Sequence, residues 1–154
     1  MPWINLTVRR GAFTRETQHA VMAKLTDALM FWERVPDTPE SRKRTKGWVY
    51  EVAEDADYNG CSAHHKDPFY FIEVRLPAGR IDAPTKQHLP RDFTKIILLA
   101  EGKPFVPEEA NRVWITILEF QRGGLGDRWP HGLVARLRKR SRYSRTGTDI
   151  SLTT

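Results

Sequence analysis

Pro2, Arg9 and Trp48 recur as Pro68, Arg75 and Trp114, each displaced by 66 residues in a chain of 154. Three identities at one offset indicate a duplicated unit, and halves of that length hold one supersecondary motif each. Periodicity shows which. Residues 2–8 (PWINLTV) alternate as a strand, residues 14–35 put Val21, Leu25, Ala28 and Trp32 on one helical face, and residues 47–54 (GWVYEVAE) read as a strand again. The second half repeats this order with PFYFIEV at 68–74, a helix within 84–101, and VWITILEF at 113–120. The predicted fold class is α+β, with two tandem β-α-β units in one sheet and the helices on one face. Right-handed crossovers should make each strand pair parallel. Trp48 and Trp114 also have a plainer reading, as paired core residues.

Punctuation supports the two helices unequally. Thr14 suits the N-cap of the first. Pro84 suits the first turn of the second, but Pro90 would break its interior, so that helix either starts late, near Leu89, or bends. DTPESRKRTK, ahead of Gly47, reads as a polar loop, and YNGCSAHHKD as the connection between halves. Residues 1–132 are thus expected to form one domain, with halves at about 2–60 and 68–132, followed by a tail at 133–154.

The charge belongs to that tail. Arg136, Arg138, Lys139, Arg140, Arg142 and Arg145 against Asp149 leave it at +5, so the other 132 residues carry only +1 of the total +6. A near-neutral body does not point to nucleic acid, and the tail is expected to be a solvated, disordered appendage. No apolar run approaches the roughly 18 residues of a membrane span, and no secretory signal is visible at the N-terminus. Cys61 is the single cysteine, which excludes an internal disulfide and fits a reducing, cytoplasmic setting.

Three small motifs carry little chemistry. Cys61, His64, His65 and Asp67 crowd together, but their spacing matches no zinc pattern and no second cluster completes it. The GGLG at 123–126 lacks the Lys-Ser/Thr pair and following helix of a phosphate loop, and reads as a turn. Lys46-Gly47-Trp48-Val49-Tyr50 imitates the basic-Gly-aromatic strand of an RNA-recognition module. That motif belongs on the third strand of such a module, however, and INLTV offers no stacking aromatic on the first.

The opening MPWINLTVRR offers two readings of Pro2. Proline lacks an N–H and is tolerated as the first residue of a strand. Alternatively, methionine is ordinarily trimmed ahead of proline, which would leave a secondary amine able to shuttle protons at the head of the first strand. A proline after the initiator, two β-α-β units and a last strand ending in a Gly-rich turn resemble the tautomerase superfamily, in its long-subunit branch with fused halves. The likeness extends to the 4-oxalocrotonate tautomerase, cis-3-chloroacrylic acid dehalogenase and malonate semialdehyde decarboxylase groups and covers about residues 2–132. Gly79-Arg80-Ile81-Asp82 and Glu119-Phe120-Gln121-Arg122-Gly123-Gly124-Leu125-Gly126 carry it most specifically. His19-Ala20-Val21 and Thr26-Asp27-Ala28 look like the first helix of the dehalogenase.

The resemblance implies an isomerase in which Pro2 is the general acid/base and arginines bind the carboxylate of a small 2-oxo or unsaturated acid. Arg80 sits where the family's arginine after glycine lies, and Arg75 is a second candidate. Asp127 falls where the dehalogenase keeps a water-activating carboxylate. Trp114, Leu125, Arg112 and Phe69 are further candidates for substrate contact. Departures exist too: Trp114 stands in place of a polarising arginine, Ala12-Phe13-Thr14 replaces a Gly-Arg element in the first half, and the dehalogenase's histidine falls on Leu29. No metal or organic cofactor and no membrane are implied, and the family's assembly implies a homotrimer. The alternatives are a hydratase, dehalogenase or decarboxylase of the same superfamily using Asp127, or a non-enzymatic nucleic-acid-binding module using the tail.

Overall fold

A computed structural model describes residues 2–62 and 66–121. The elements are β1 (Trp3–Arg9), α1 (Arg15–Trp32), α2 (Pro39–Arg44), β2 (Lys46–Val52), a 3₁₀ turn at Glu54–Ala56, β3 (Tyr70–Pro77), α3 (Ala83–Glu101), α4 (Pro107–Ala110) and β4 (Val113–Phe120). The strands form one sheet in the order β2-β1-β3-β4, with β1 parallel to β2, β3 parallel to β4, and β1 antiparallel to β3. The expected α+β class with two β-α-β units is what the chain adopts.

The duplication is written into the register. Trp3 pairs with Lys46 in the first half and Tyr70 with Val113 in the second, so both parallel pairs join residues 43 apart. Leu6 lies opposite Ile72, its own counterpart 66 residues on, which centres a pseudo-twofold relation between β1 and β3. Because β1 and β2 are direct neighbours, no strand intervenes as it would in a split β-α-β unit. This topology differs from that of an RNA-recognition module.

Alternation gives the sheet two unlike faces. Ile4, Leu6 and Val8 of β1 and Tyr70, Ile72, Val74 and Leu76 of β3 are buried against Val21, Leu25 and Leu29 of α1 and Leu89, Phe93, Ile96 and Ile97 of α3. The opposite face carries Trp3, Trp48, Tyr50, Phe71, Trp114, Leu118 and Phe120, and much of it is open to solvent. Trp48 is 47% exposed and Trp114 62% exposed. The recurring tryptophans therefore match each other on the open face and are not a core pair.

Two local expectations need correction. The segment read as a polar loop contains α2, because Thr38 accepts from Ser41 N (3.1 Å) as N-cap and Pro39 pre-sets the first turn. Likewise α3 starts at Ala83, not near Leu89, with Asp82 as N-cap accepting from Thr85 N (3.0 Å) and Thr85 Oγ1 (2.6 Å). Proline inside a helix costs about 3 kcal/mol. Each buried apolar side chain contributes roughly 1.5–3 kcal/mol, so Leu89, Phe93, Ile96 and Ile97 together exceed the cost of Pro90. Thr94 Oγ1 donates to Pro90 O (2.9 Å) within the same helix.

Candidate active site

Each parallel pair needs its helix to run back along the sheet, so α1 ends where β1 and β2 begin, and α3 begins where β3 ends. Those termini converge on the end of the sheet that carries Pro2. Pro2 O accepts from Lys46 N (3.2 Å), and the adjacent Trp3 stacks on Phe120 (ring centroids 5.8 Å apart). On the helix side of this end lies a cavity of about 200 Å³, lined by Trp32 and Arg34 at the end of α1 and by Gly79 to Asp82 and Thr85 at the entry to α3. Pro2 shares the sheet end with the cavity but does not line it.

Arg80 reaches the cavity because the chain reverses at Gly79 (φ 75°), a left-handed conformation that glycine adopts without a Cβ clash. Glu119 of β4 fixes this turn by accepting from Gly79 N (3.1 Å) and from Lys86 Nζ (2.5 Å). The Lys86 ammonium, with the Gly79 amide, holds the Glu119 carboxyl below its ordinary value. Arg80 is then braced from behind. Its Nε donates to Glu33 Oε1 at 3.3 Å; the Glu33 side chain is 1% exposed, whereas that of Arg80 is 32% exposed.

Glu33 is the functional candidate that the sequence reading missed. Its second oxygen, Oε2, is buried without a hydrogen-bond partner among the described residues. Burial raises the Glu33 carboxyl above its ordinary value, against the opposing pull of Arg80 and of the positive chain terminus. A signal did exist: an acidic residue at a helix C-terminus opposes the helix dipole, and here no glycine follows it.

This burial makes a pH prediction. A carboxyl whose folded-state pKa lies above the unfolded value holds its proton longer in the native state, so stability falls as pH rises upward from the ordinary glutamate value. Glu33→Gln should therefore melt at nearly the parental temperature near pH 4 and gain on the parent as pH rises to 7. A difference that stays constant across thermal melts over that range would show that Glu33 bears no such burden.

The other candidates divide between the two ends of the sheet. Arg75 belongs to the Pro2 end but projects on the open face, paired with Glu73 Oε1 (2.6 Å) and lying over the Trp3 ring (5.5 Å). It does not line the cavity with Arg80. Phe69 and Arg112 lie beyond the opposite end, and Trp114 pairs with Phe71, four strand residues from Arg75, which at about 3.3 Å per residue is roughly 13 Å. Trp114 Nε1 donates to Asn111 O (3.0 Å).

Arg112 proves to be an internal strut. Its Nη1 donates to Pro68 O (2.8 Å) and Glu101 Oε1 (3.0 Å), its Nη2 to Glu101 Oε2 (2.6 Å) and to Glu109, and its Nε to Glu109 Oε2 (3.0 Å). With its guanidinium committed in this way, it has no free edge for a substrate within the chain. Leu125 and Asp127 lie outside the described residues, as do His64, His65 and the basic tail. Among the described residues no three His, Cys, Asp or Glu side chains gather as a metal site, and no helix is long and apolar enough to cross a membrane.

The fold itself is familiar. N1, a member of the cis-3-chloroacrylic acid dehalogenase family, superposes with a TM-score of 0.67 at 16% identity, covering 89% of this chain and 99% of its own. The fused 4-OT protein F6, an asymmetric trimer, matches with a TM-score of 0.67 at 16% identity, over 86% of this chain and 98% of its own. The macrophage migration inhibitory factor-like protein of Entamoeba histolytica matches at 0.61 and 13% identity, over 82% and 94%. No family model and no curated protein matches the sequence. The chain has the fold of the tautomerase superfamily. At these identities the likeness defines the fold and leaves the chemistry to be argued from the site.

Proposed function

We propose that the chain is a tautomerase-superfamily enzyme that interconverts keto and enol forms of a small 2-oxo acid, with the amine of Pro2, freed by removal of Met1, as general acid/base. In the enolising direction the amine takes a proton from C3 of the acid. The C–H electron pair becomes the C2=C3 double bond, charge moves onto the C2 oxygen, and that oxygen receives the proton. Arg80 holds the carboxylate, since a guanidinium fork matches a planar anion and also stabilises enolate charge as it develops. The cavity of about 200 Å³ suits a small acid.

The observation that carries the reading is Arg80, turned into the cavity at the Pro2 end and braced through Nε by a buried carboxylate, with no other partner among the described residues. Rigid support of a binding arginine by a second group is what precise substrate positioning requires. Arg75, from the open face, is assigned the supporting role of keeping positive charge near Trp3. Hydratase, dehalogenase or decarboxylase chemistry through Asp127 remains the alternative within the superfamily.

The open aromatic face has a role in the same proposal. Trp48, Tyr50, Phe71, Trp114 and Leu118 form an exposed apolar surface on a sheet whose outer strands, β2 and β4, are its edges among the described residues. Burial in a homotrimer would cover that face, and F6 is itself an asymmetric trimer.

One experiment tests both parts. The purified protein should sediment as three chains, and Arg80→Ala in that assembly should lower kcat/KM for phenylenolpyruvate ten- to a hundred-fold, the loss of roughly 1.5–3 kcal/mol of charge-assisted hydrogen bonding. Arg9→Ala, on the open face at the far end of β1, should have little effect. Equal and small effects of the two substitutions would sink the Arg80 assignment, and a monomeric mass would remove the trimer.

A further inference from the structure

The two long helices end in the same backbone motif with different residues at its tightest point. At the end of α3, Lys103 N reaches Leu98 O (2.8 Å) and Gly102 N reaches Leu99 O (3.1 Å), with Gly102 at φ 73°. At the end of α1, Val35 N reaches Met30 O (2.9 Å) and Arg34 N reaches Phe31 O (3.0 Å), with Arg34 at φ 55°. Both are Schellman closures, whose left-handed residue is ordinarily glycine. Among the described residues Arg34 alone adopts positive φ without being glycine.

An arginine held against a backbone penalty that glycine escapes in the same chain calls for a reason in its side chain. Arg34 is one of the residues that line the cavity with Arg80. It donates to Asp82 Oδ2 at 3.3 Å, in a pair whose side chains are 55% and 40% exposed. Asp82 is committed elsewhere as well, since its Oδ1 caps α3. Consecutive residues thus perform related tasks: Glu33 braces one guanidinium of the cavity from behind, and Arg34 supplies another.

We propose that Arg34 is a second anion-binding group of this cavity, gripping the same carboxylate as Arg80 and so selecting an ionised acid over its uncharged derivatives. The inference rests on the reading in which Arg80 holds the carboxylate. On binding, the carboxylate joins or replaces Asp82 as the partner of Arg34, and two guanidinia share one planar anion. The strained backbone at residue 34 aims the side chain back over the cavity.

The test is titration calorimetry of the assembled protein with phenylpyruvate and with its primary amide, comparing Arg34→Gly, Arg34→Asn and Arg80→Ala. Arg34→Gly should melt no lower than the parent, because glycine suits the backbone and the lost ion pair is exposed. It should nonetheless bind phenylpyruvate about ten-fold more weakly, with its preference for the acid over the amide reduced by the same factor. Arg34→Asn, which tolerates the left-handed conformation, should show the same loss, and in turnover KM should move more than kcat. Parental affinity in both Arg34 variants, alongside loss in Arg80→Ala, overturns the inference and leaves the proposed function standing. Parental affinity in all three overturns the reading of the cavity itself.

Discussion

Arg112→Met should lower the stability of the fold by about 3 kcal/mol, toward the lower end of what breaking a buried ion pair costs. Arg112 ties the end of α3, through Glu101, to α4, through Glu109, and to the entry of β3, through Pro68 O. Removing it leaves Glu101, whose side chain is nearly buried, without its bidentate partner, while Glu109 is more open and can regain water. For a domain of this size the loss corresponds to a fall of roughly 10 °C in Tm. Arg42 also pairs with two carboxylates, Asp27 and Asp37, but at the surface, and Arg42→Ala should leave the melt near that of the parent. Below its melting temperature, Arg112→Met should retain its kcat/KM. A stable variant with lost substrate use would return Arg112 to the binding site.

The contrast shows what could be read from residue order and what could not. The 66-residue offset made the architecture legible, because a repeat must pack each half by the same rule, and the shared 43-residue register is the physical form of that rule. The turn that carries Arg80 was legible through the glycine before it. Arg112 was not, since strand spacing says nothing of the two glutamates that α3 and α4 bring to it. Arg75 could have been placed on the open face by alternation with Val74 and Leu76, but its distance from the cavity depends on how tightly the chain reverses at Gly79. Pro90 misled for the opposite reason: a local helix penalty was outweighed by burial that only the assembled core supplies. Glu33 and Arg34 look in the sequence like a charged helix end, and their pairing with Arg80 and Asp82 follows only once α1 is packed beside the β3–α3 turn.

The other large effect concerns Pro2. Its nitrogen is a base only as a free secondary amine; in a peptide bond the lone pair is delocalised and holds no proton near neutral pH. If Met1 is removed, the amine stands at the end of the sheet where Trp3 stacks on Phe120 and where Arg75 and Arg80 also lie. Low polarity and nearby cations both disfavour an ammonium, so under the proposed function activity should rise with pH through a single ionisation. Pro2→Ala keeps an amine but makes it primary and less constrained, so a partial loss is expected. Residues fused ahead of Pro2 abolish the base, and loss of general acid/base catalysis costs on the order of 10²–10⁴-fold.

The most direct measurement is the initial rate of phenylenolpyruvate ketonisation by two proteins matched in assembly state and verified by intact mass, one beginning at Pro2 and one with residues fused ahead of it. The processed protein should be active and the fused one should lose nearly all of its rate; equal rates would contradict the account and leave Pro2 as the cap of a strand.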